Sequence, residues 1–523
     1  MYLKQIEISG FRGINRLSLP LLPNMVLIGE NAWGKSSLID ALSLIFNLEN
    51  ELYQFTFKDF HIQYSQTPKQ VQDIELVFTF SEEQVDEHLS ERFSPYLSFF
   101  FPLNEQLRQL SLKVSGKLTK DSVITEYHFV DHHLKPISLN QSEKLIKRFI
   151  RQHSVYRLRD ARLNKRVHDE LLLQSHYEHQ DEFQRELSAL SSLLKYYFLT
   201  AQSRTLMKTG MQDTSLWWEK VKSLCLRLKQ NEILREKVQH HISALFLFNQ
   251  EANSIDKPII LFEDLNAQLH PRMIAIFWEL LSLLPSQRIT TTNSMEVVSQ
   301  VPLKEICRLV RYQDHTQAYL LDRSHLGKDD LRKLTFHIHH NRGLVLFARA
   351  WILVEGETEV WILSELARLL EINLEMEGIK IVEFAQCGLR PLIKYARAMG
   401  IEWYVLTDGD EAGKRYTETV KSMDEDFSKR LTTLPQKDIE HFFYKAGLRN
   451  VFVRLANWRS QEKFPISYII KRAIQQTSKP DLAIALSNEM RNRGEHSVPL
   501  LFKKLFIDVL ALINKESQLN TSG

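Results

Sequence analysis

Cysteine, proline and glycine are all scarce in this 523-residue sequence. The three cysteines, Cys225, Cys307 and Cys387, lie far apart and form no C-x-x-C pair, which excludes a disulfide framework and a thiolate zinc site built by one chain. With only 17 glycines and 15 prolines, long flexible linkers are not expected and helices should be plentiful. No run of 18 uncharged apolar residues occurs, so the sequence predicts a cytoplasmic protein with no membrane partner.

A surplus of charge of one sign is also missing. The 67 Lys and Arg residues nearly balance the 64 Asp and Glu residues, and the formal net charge is +3, so any DNA-binding surface must come from local clustering. Such a cluster lies between Lys144 and Arg166, where nine basic residues accompany a single acid, Asp160. Two interpretations stay open: a stripe that binds DNA phosphates, and a solvated helix face paired with the acidic segment that follows it.

The pattern of apolar residues divides the chain into a strand-rich start, a helical middle and an alternating end. Strands are predicted at 2–9, 25–28, 71–80, 109–130 and 258–262. From about 141 to 250 the pattern is helical, and its period fits either an extended arm or a packed bundle. The predicted elements of the last part are strand 351–354, helix 358–371, strand 379–384, helix 389–399 and strand 402–407, followed by helices to the end. This alternation predicts an α/β fold with a parallel sheet covered on both faces, and domains at 1–345 and 346–523.

A phosphate-binding loop is the most specific motif in the chain. Residues 29–36, GENAWGKS, fit G-x-x-x-x-G-K-S/T at every position and lie between an apolar strand and a helix. Backbone N–H groups of such a loop form an anion cradle at a helix N-terminus, while Lys35 reaches the outer phosphates and the Ser36 hydroxyl binds Mg²⁺. The predicted ATP-binding residues here are Gly29, Glu30, Asn31, Ala32, Gly34, Lys35, Ser36 and Ser37.

Phosphate loops of this kind need an acidic residue at the end of a second buried strand, and Glu263 and Asp264 supply it after the apolar run 259–262. We expect Glu263 to hold Mg²⁺ and Asp264 to orient or activate an attacking water. An acidic pair after an apolar strand is weak evidence by itself, but the phosphate loop makes the combination specific.

The separation of these motifs, more than 220 residues between positions 36 and 263, resembles the ABC-type ATPases of the RecF and SMC group. Residues 6–42 and 263–271 resemble the corresponding segments of that group. Asn293 occupies the position at which proteins of the group have a switch histidine. Asn293 can bond a γ-phosphate but cannot carry a proton. Leu265 and Asn266 replace the usual proline and acid, and no S-G-G-Q-like signature occurs between 200 and 257. Nucleotide binding is therefore expected more firmly than hydrolysis.

A second acidic constellation follows residue 345. Glu355 and Glu359 come after one predicted buried strand, and Asp408 and Asp410 come after another. Because ligands bind at the carboxyl ends of parallel strands, these four carboxylates are expected to converge, and hard oxygen donors of this kind select Mg²⁺ or Mn²⁺. A solvated acidic turn is the alternative for either segment alone.

Taken together, the two acidic segments resemble the TOPRIM domain of topoisomerases, primases and some nucleases. The resemblance makes Glu355 the invariant glutamate and makes Asp408 and Asp410 the D-x-D metal ligands, with Glu359 and Glu411 as accessory ligands. Two metal ions bound there activate water and stabilise the leaving oxygen of a phosphodiester.

An ABC-type ATPase followed by a TOPRIM domain is the architecture of the OLD (overcoming lysogenisation defect) nucleases. Segments 155–162, 290–294, 344–347 and 353–359 resemble the YbjD-like branch of that family. The resemblance implies an ATP-regulated DNA endonuclease, a homodimer whose surface we expect within 165–235, and a lysine at the scissile phosphate. Lys479 is the best match, with Lys394 and Lys414 as competitors. An ATP-gated DNA clamp that barely cuts is the alternative function.

Overall fold

In the computed structural model the chain forms two compact units, Met1–Tyr319 and Leu320–Gly523. The structure describes residues 1–47, 51–62, 73–120, 122–137, 143–159, 181–199, 214–247, 258–264, 269–322, 326–340, 343–458 and 465–518. Within these ranges, no helix has the length and apolar character needed to cross a membrane.

One mixed sheet forms the frame of the first unit. Its strands are β1 (Tyr2–Phe11), β2 (Ile14–Pro20), β3 (Asn24–Ile28), β4 (Ile74–Ser81), β5 (Phe101–Pro102), β6 (Arg108–Leu118), β7 (Val123–Val130), β8 (Val155–Leu158), β9 (Ile259–Glu263), β10 (Gln287–Thr291), β11 (Ile306–Arg311) and β12 (Thr316–Leu320). Their order is β5-β6-β4-β1-β2-β12-β11-β3-β10-β9-β8, and β7 pairs with β6.

The antiparallel half of this sheet follows from alternating apolar residues. In β4 the side chains of Ile74, Leu76, Phe78 and Phe80 are fully buried, and β4 pairs with β1 on one side and with β6 on the other. The sequence did not predict β2, β11 or β12. In β2 the buried apolar residues do not alternate strictly, so the period-two signal is weak there.

The parallel half brings three strand ends together. β3, β10 and β9 are neighbours, and Thr291 is in register with both Leu27 and Glu263. Just beyond the strands, the N–H of Thr292 donates to the carbonyl of Leu27 and the N–H of Asp264 donates to the carbonyl of Thr291, each over 3.1 Å. The segments that follow the three strands therefore meet at one edge of the sheet.

The helices of the first unit cover this sheet. They are α1 (Lys35–Ile45), α2 (Glu143–Gln152), α3 (Glu182–Leu194), α4 (Ser215–Gln230), α5 (Glu232–Leu247), α6 (Pro271–Ser282) and α7 (Met295–Val298). Leu190 of α3, Leu224 of α4 and Phe277 of α6 share one buried core, so the described helices of the middle region are packed rather than an extended arm. Leu216 and Leu226 of α4 and Ile233 of α5 are nevertheless exposed, and the dimer surface expected within 165–235 stays a prediction.

The prediction of an all-helical stretch from 141 to 250 is wrong at one place. Strand β8 lies inside it and pairs in parallel with β9, with Tyr156 opposite Ile260. The strand has only four residues, which is too short for a periodic pattern to reveal it.

A smaller sheet forms the centre of the second unit. Its strands β13 (Ala350–Val354), β14 (Ile379–Glu383), β15 (Glu402–Thr407) and β16 (Leu431–Thr433) lie in the order β14-β13-β15-β16, and every pairing is parallel. The helices are α8 (Lys328–Leu334), α9 (Glu357–Leu369), α10 (Leu389–Ala398), α11 (Glu411–Met423), α12 (Ile439–Phe443), α13 (Arg449–Leu455), α14 (Ile466–Gln476), α15 (Lys479–Arg493) and α16 (Leu500–Gln518). The prediction of helices alone after residue 407 is wrong, because β16 extends the sheet.

Burial explains why this sheet reads as continuous apolar runs. All five residues of β13 are buried, as expected for a parallel strand covered on both faces. On one face, Ile352 belongs to a core shared with Leu366 of α9, Leu482 of α15 and Phe502 of α16. The helical end of the chain is therefore part of the unit that carries the second acidic cluster.

Candidate functional site

The phosphate loop joins β3 to α1, where the sequence placed it. Gly34 has a φ of 101°, a conformation that glycine adopts without steric penalty, and Lys35 begins α1 immediately after it. The Lys35 ammonium donates to the carbonyl of Gly29, to the carbonyl of Glu30 over 3.1 Å and to Oδ1 of Asn293 over 3.1 Å. Oxygen atoms of the loop and of the segment after β10 thus surround the lysine.

Most of the other predicted loop residues lie around this lysine. The Asn293 amide also donates to Oδ1 of Asn31 over 3.1 Å, and the Ala32 carbonyl accepts from Arg311. Ser36 is exposed in the first turn of α1, where its hydroxyl can reach a ligand. The Ser37 hydroxyl instead accepts from the N–H of Gly13 over 3.1 Å, so it also fixes the turn between β1 and β2.

Asp264, the residue after β9, lies near the same lysine. Burial and the neighbouring charge of Glu263 raise the pKa of Asp264, while Lys35 opposes the rise. Burial lowers the pKa of Lys35, and the charges of Asp264 and Glu30 act against that shift. Leu265 and Asn266, which depart from the family pattern, lie outside the described residues.

Arg157 is a member of this site that the sequence reasoning missed. Its Nε and Nη2 donate to Oε2 of Glu263 over 3.0 and 2.6 Å, and its Nη1 donates to Oδ1 of Asp40 over 2.7 Å. Asp40 also pairs with Arg12. Arg157 belongs to the basic cluster between Lys144 and Arg166, but the parallel pairing of β8 with β9 turns it toward Glu263. Positions 160–166 of that cluster lie outside the described residues.

The second acidic cluster forms at the carboxyl ends of β13 and β15. Leu353 and Val405 are in register on these adjacent strands, so Glu355 and Asp408, the residues that follow each strand, meet at one edge. Burial and the charges of Glu359 and Glu355 raise the pKa of Asp408 to about 8. Burial also raises the pKa of Glu359 to about 7.

Asp410 completes the predicted set from the start of α11. Its side chain accepts the N–H of Gly413 over 2.8 Å as a helix cap, and its charge, after burial, contributes to the raised pKa of Glu355. Glu359 likewise accepts the N–H of Gly356 over 3.1 Å. Glu411 is exposed and accepts from Lys414 over 2.6 Å.

The structure adds two acids that sequence reasoning missed, Asp438 and Glu440. Asp438 caps α12 by accepting the N–H of His441 over 2.7 Å, and both acids contribute to the raised pKa of Asp408. Lys479, at the first position of α15, brings its ammonium to 3.8 Å from Oε1 of Glu440. The two acids in the D-I-E segment 438–440 resemble a D-x-D pair, and this spacing is the sequence feature that could have indicated them. The segment follows β16, whose three residues are too few to predict a strand.

Gly413 fixes the backbone of this site. A Cβ atom added there would lie 1.9 Å from the carbonyl oxygen of Asp408, far inside van der Waals contact. The first turn of α11 therefore packs directly on the backbone that carries the metal-ligand candidate Asp408.

Two observations test whether the cluster suits a divalent cation. Oε2 of Glu355 is buried and has no hydrogen-bond partner among the described residues, and such an orphaned oxygen calls for a donor or an ion. As arranged, however, no group of three or more His, Cys, Asp or Glu side chains in the described part of the chain is able to hold a metal ion. The oxygen donors of the cluster are of the type that binds Mg²⁺ or Mn²⁺.

Comparison with known proteins places these features in a family. Residues 1–345 match the family model described as "Protein of unknown function (DUF2813)". The chain belongs to the DUF2813 family. In this DUF2813 protein, residues 346–410 match a second model, "Overcoming lysogenization defect protein-like, TOPRIM domain". The "Uncharacterized protein YbjD" of Escherichia coli (strain K12) is 39% identical, over 98% of this chain and 99% of that protein. The expected resemblance to the YbjD-like branch with an OLD-type TOPRIM domain is confirmed.

Solved structures also resemble parts of this DUF2813 protein. The C-terminal region of the Xanthomonas campestris pv. campestris OLD protein, phased with platinum, is 19% identical and covers 34% of this chain and 99% of that one, with a TM-score of 0.29. The SMC head domain from Thermotoga maritima is 13% identical and covers 62% of this chain and 100% of that one, with a TM-score of 0.31. The first unit is a mixed-sheet α/β unit that carries the phosphate loop, and residues 346–410 form a TOPRIM domain.

Proposed function

We propose that this DUF2813 protein is an ATP-regulated, divalent-metal-dependent DNA endonuclease. The observation that carries the proposal is the convergence of Glu355, Asp408 and Glu440 near the carboxyl ends of β13 and β15, beside Lys479. Neighbouring carboxylates resist joint ionisation unless a cation binds among them. Burial first, and the charges of the neighbouring acids second, raise the pKa of Asp408. The OLD-type TOPRIM match of residues 346–410 supports a nuclease rather than a structural use of the cluster.

Glu355, Asp408 and Asp410 would hold Mg²⁺ or Mn²⁺, and Glu359 and Glu440 would supply further oxygen ligands. A divalent ion bound there activates water and stabilises the leaving oxygen of a phosphodiester. Within the chain, the caps made by Asp410 and Asp438 hold two helix N-termini at the cluster. Lys479 would supply positive charge for the scissile phosphate.

In the first unit, the loop from Gly29 to Lys35 would bind the ATP phosphates, and Ser36 and Glu263 would hold the accompanying Mg²⁺. Asp264 is suited to accept a proton from an attacking water, because burial and the charge of Glu263 raise its pKa and a higher pKa makes a carboxylate a better base. Asn293 can bond the γ-phosphate without exchanging a proton. Regulation by bound nucleotide needs only ATP binding, whereas rapid hydrolysis also needs proton transfer, which Asn293 cannot provide.

DNA is the proposed substrate, and the basic cluster that begins at Lys144 is the proposed contact. Lys144 and Arg148 are exposed on α2, whereas Lys147 pairs with Glu143 over 2.7 Å. The proposal includes a cytoplasmic homodimer, since ABC-type nucleotide sites are normally completed by a second subunit. It also keeps the domain boundary near residue 345.

Incubation of purified protein with supercoiled plasmid tests the proposal directly. With Mg²⁺ or Mn²⁺ we expect nicked and linear products whose rate changes when ATP is added, and no products in EDTA. Retention of DNA on the protein without cleavage under every metal condition would support the ATP-gated clamp instead. That second function is favoured by one observation, the lack of a preformed ion-binding group in the described residues.

A further inference from the structure

A separate cavity of about 270 Å³ opens at the amino-terminal edge of the first sheet, where β3, β9 and β10 begin. The phosphate loop lies at the opposite, carboxyl edge of the same strands. Asn24, Ile259, Gln287 and Arg288 line the cavity from the strands, and Ser286 lines it from the connection between α6 and β10. The cavity therefore belongs to neither of the sites described above.

The wall of this cavity is rigidly built. The side chain of Gln287 donates to the carbonyl of Leu3 over 2.7 Å and accepts the N–H of Leu3 over 3.0 Å, which fastens β10 to the start of β1. The Arg288 N–H donates to the carbonyl of Pro23 over 2.8 Å, and its guanidinium contacts Asn24. A ligand would enter a formed site, without a loop having to fold around it.

Three polar side chains that line the cavity have atoms without a hydrogen-bond partner in the described structure. These are Nε2 of His153, Oγ of Ser286 and Nη1 of Arg288. The three residues are 2%, 8% and 4% exposed. Buried polar atoms are nearly always paired, so three unpaired polar atoms on residues that line one cavity indicate that the cavity binds a polar ligand.

The charge at Arg288 decides what kind of occupant fits. Burial lowers the pKa of Arg288 to about 10, and the charge of Glu305 only partly opposes the shift. Glu83 also lines the cavity, but its side chain is exposed. His153 is buried beside the charge of Arg92, and burial first and that charge second lower its pKa. A buried guanidinium with insufficient negative charge nearby favours an anion.

Water alone satisfies this space less well than an anion does. Several waters would fit into about 270 Å³, since each occupies about 30 Å³, and they would bond the three orphaned atoms. They would not neutralise the guanidinium. Oxygen atoms of a phosphate or carboxylate do both, because charge-assisted hydrogen bonds to arginine are stronger than neutral ones.

We propose that this cavity binds a small oxyanion, a phosphate or carboxylate compound, with Arg288 as its cationic contact and Ser286 and His153 as hydrogen-bond partners. The site is a ligand site of the ATPase unit, distinct from its nucleotide site. Its occupant touches the start of β10, the strand whose other end leads to Asn293. The proposal does not depend on nuclease activity.

Calorimetric titration of the full chain tests it, with inorganic phosphate in one arm and malonate in the other at constant ionic strength. All proteins carry Lys35→Ala, so that phosphate bound in the nucleotide loop contributes little heat. We expect one site per chain for at least one of the anions. Arg288→Gln and Ser286→Ala should each weaken binding by about tenfold or more, as expected for loss of a hydrogen bond to a charged group.

The matched control is Arg272→Gln, which removes an arginine of α6 that is 61% exposed and pairs with Glu219; it should leave the affinity unchanged. Binding of phosphate only, or of malonate only, identifies the class of oxyanion. The proposal is overturned if neither anion binds, or if Arg288→Gln and Ser286→Ala bind as tightly as their parent. Thermal melting checks that Arg288→Gln folds, and if it does not, the mild Ser286→Ala variant decides.

Discussion

The two acidic sites of this molecule occupy the same topological position but differ in how their charge is balanced. At the edge of the first sheet, Glu263 is already paired with Arg157 through two hydrogen bonds. At the edge of the second sheet, Asp408 lies among carboxylates, and the ammonium of Lys479 is 3.8 Å from Glu440 rather than in a hydrogen bond. The carboxylate of Glu263 is neutralised by an arginine of the same chain, so it is stable without a bound cation. The carboxylates around Asp408 have no such hydrogen-bonded arginine among the described residues, so a bound cation would stabilise them more.

The largest effect on plasmid cleavage should come from removing the carboxylate of Asp408. Asp408→Ala should lower plasmid cleavage by several orders of magnitude, since at least one metal loses a ligand. In EDTA the variant should melt at the same temperature as the parent or slightly higher, because repulsion among the remaining carboxylates is relieved. Its ATP affinity should not change.

Gel quantification of nicked plasmid measures this, with Glu425→Ala as an exposed acidic control in the same unit. Wild-type cleavage by Asp408→Ala in both Mg²⁺ and Mn²⁺ would make the cluster a solvated acidic turn. The clamp function would then lead.

The second-largest effect should come from a substitution in the phosphate loop, and it should appear in ATP affinity rather than in the rate of cleavage. Lys35→Ala should weaken ATP binding by about 10- to 100-fold, since a charge-assisted hydrogen bond contributes about 1.5–3 kcal/mol. Isothermal titration measures the affinity, and Lys58→Ala, an exposed lysine of the same unit, is the control. Equal ATP affinity in Lys35→Ala and the parent protein would refute the phosphate-loop assignment.

Glu440 tests whether the acids that sequence reasoning missed belong to the second site. Glu440→Gln keeps the size of the side chain but removes its charge, and the affinity for Mn²⁺ should fall by about 10- to 100-fold, as for other groups that support a metal site. Titration with Mn²⁺ followed by electron paramagnetic resonance reports this directly. Glu418→Gln, which removes an exposed acid paired with Lys421, should bind Mn²⁺ like the parent. Parent-like binding by Glu440→Gln would confine the site to the residues predicted from sequence.

The smallest effect should come from Arg157, which sets the contrast between the two sites. Arg157→Ala frees Glu263, so the Mg²⁺ concentration needed for half-maximal ATP binding should fall by up to about fivefold, the scale of a partly exposed ion pair. Fluorescent-nucleotide titration at varied Mg²⁺ measures the shift. A rise in the required Mg²⁺ would mean that Arg157 orients Glu263 for the metal instead of competing with it.

How well the sequence anticipated each site depends on where its residues come from. The loop ending in Lys35 and the pair Asp408 and Asp410 were predictable, because each motif and its flanking strand and helix lie in one short segment. Arg157 and Glu440 were not, because each reaches its site through a neighbouring strand, β8 or β16, that is too short to show a period. Parallel pairing between distant segments supplied what local pattern could not.

The close packing at Gly413 limits which substitutions position 413 tolerates. Because the carbonyl oxygen of Asp408 fills the space of a Cβ atom there, even alanine must displace the backbone of the site. In a saturation library scored for nuclease function, position 413 should therefore behave like a catalytic position although its side chain is a hydrogen atom. An inactivating allele can arise at this codon while every carboxylate of the cluster is retained.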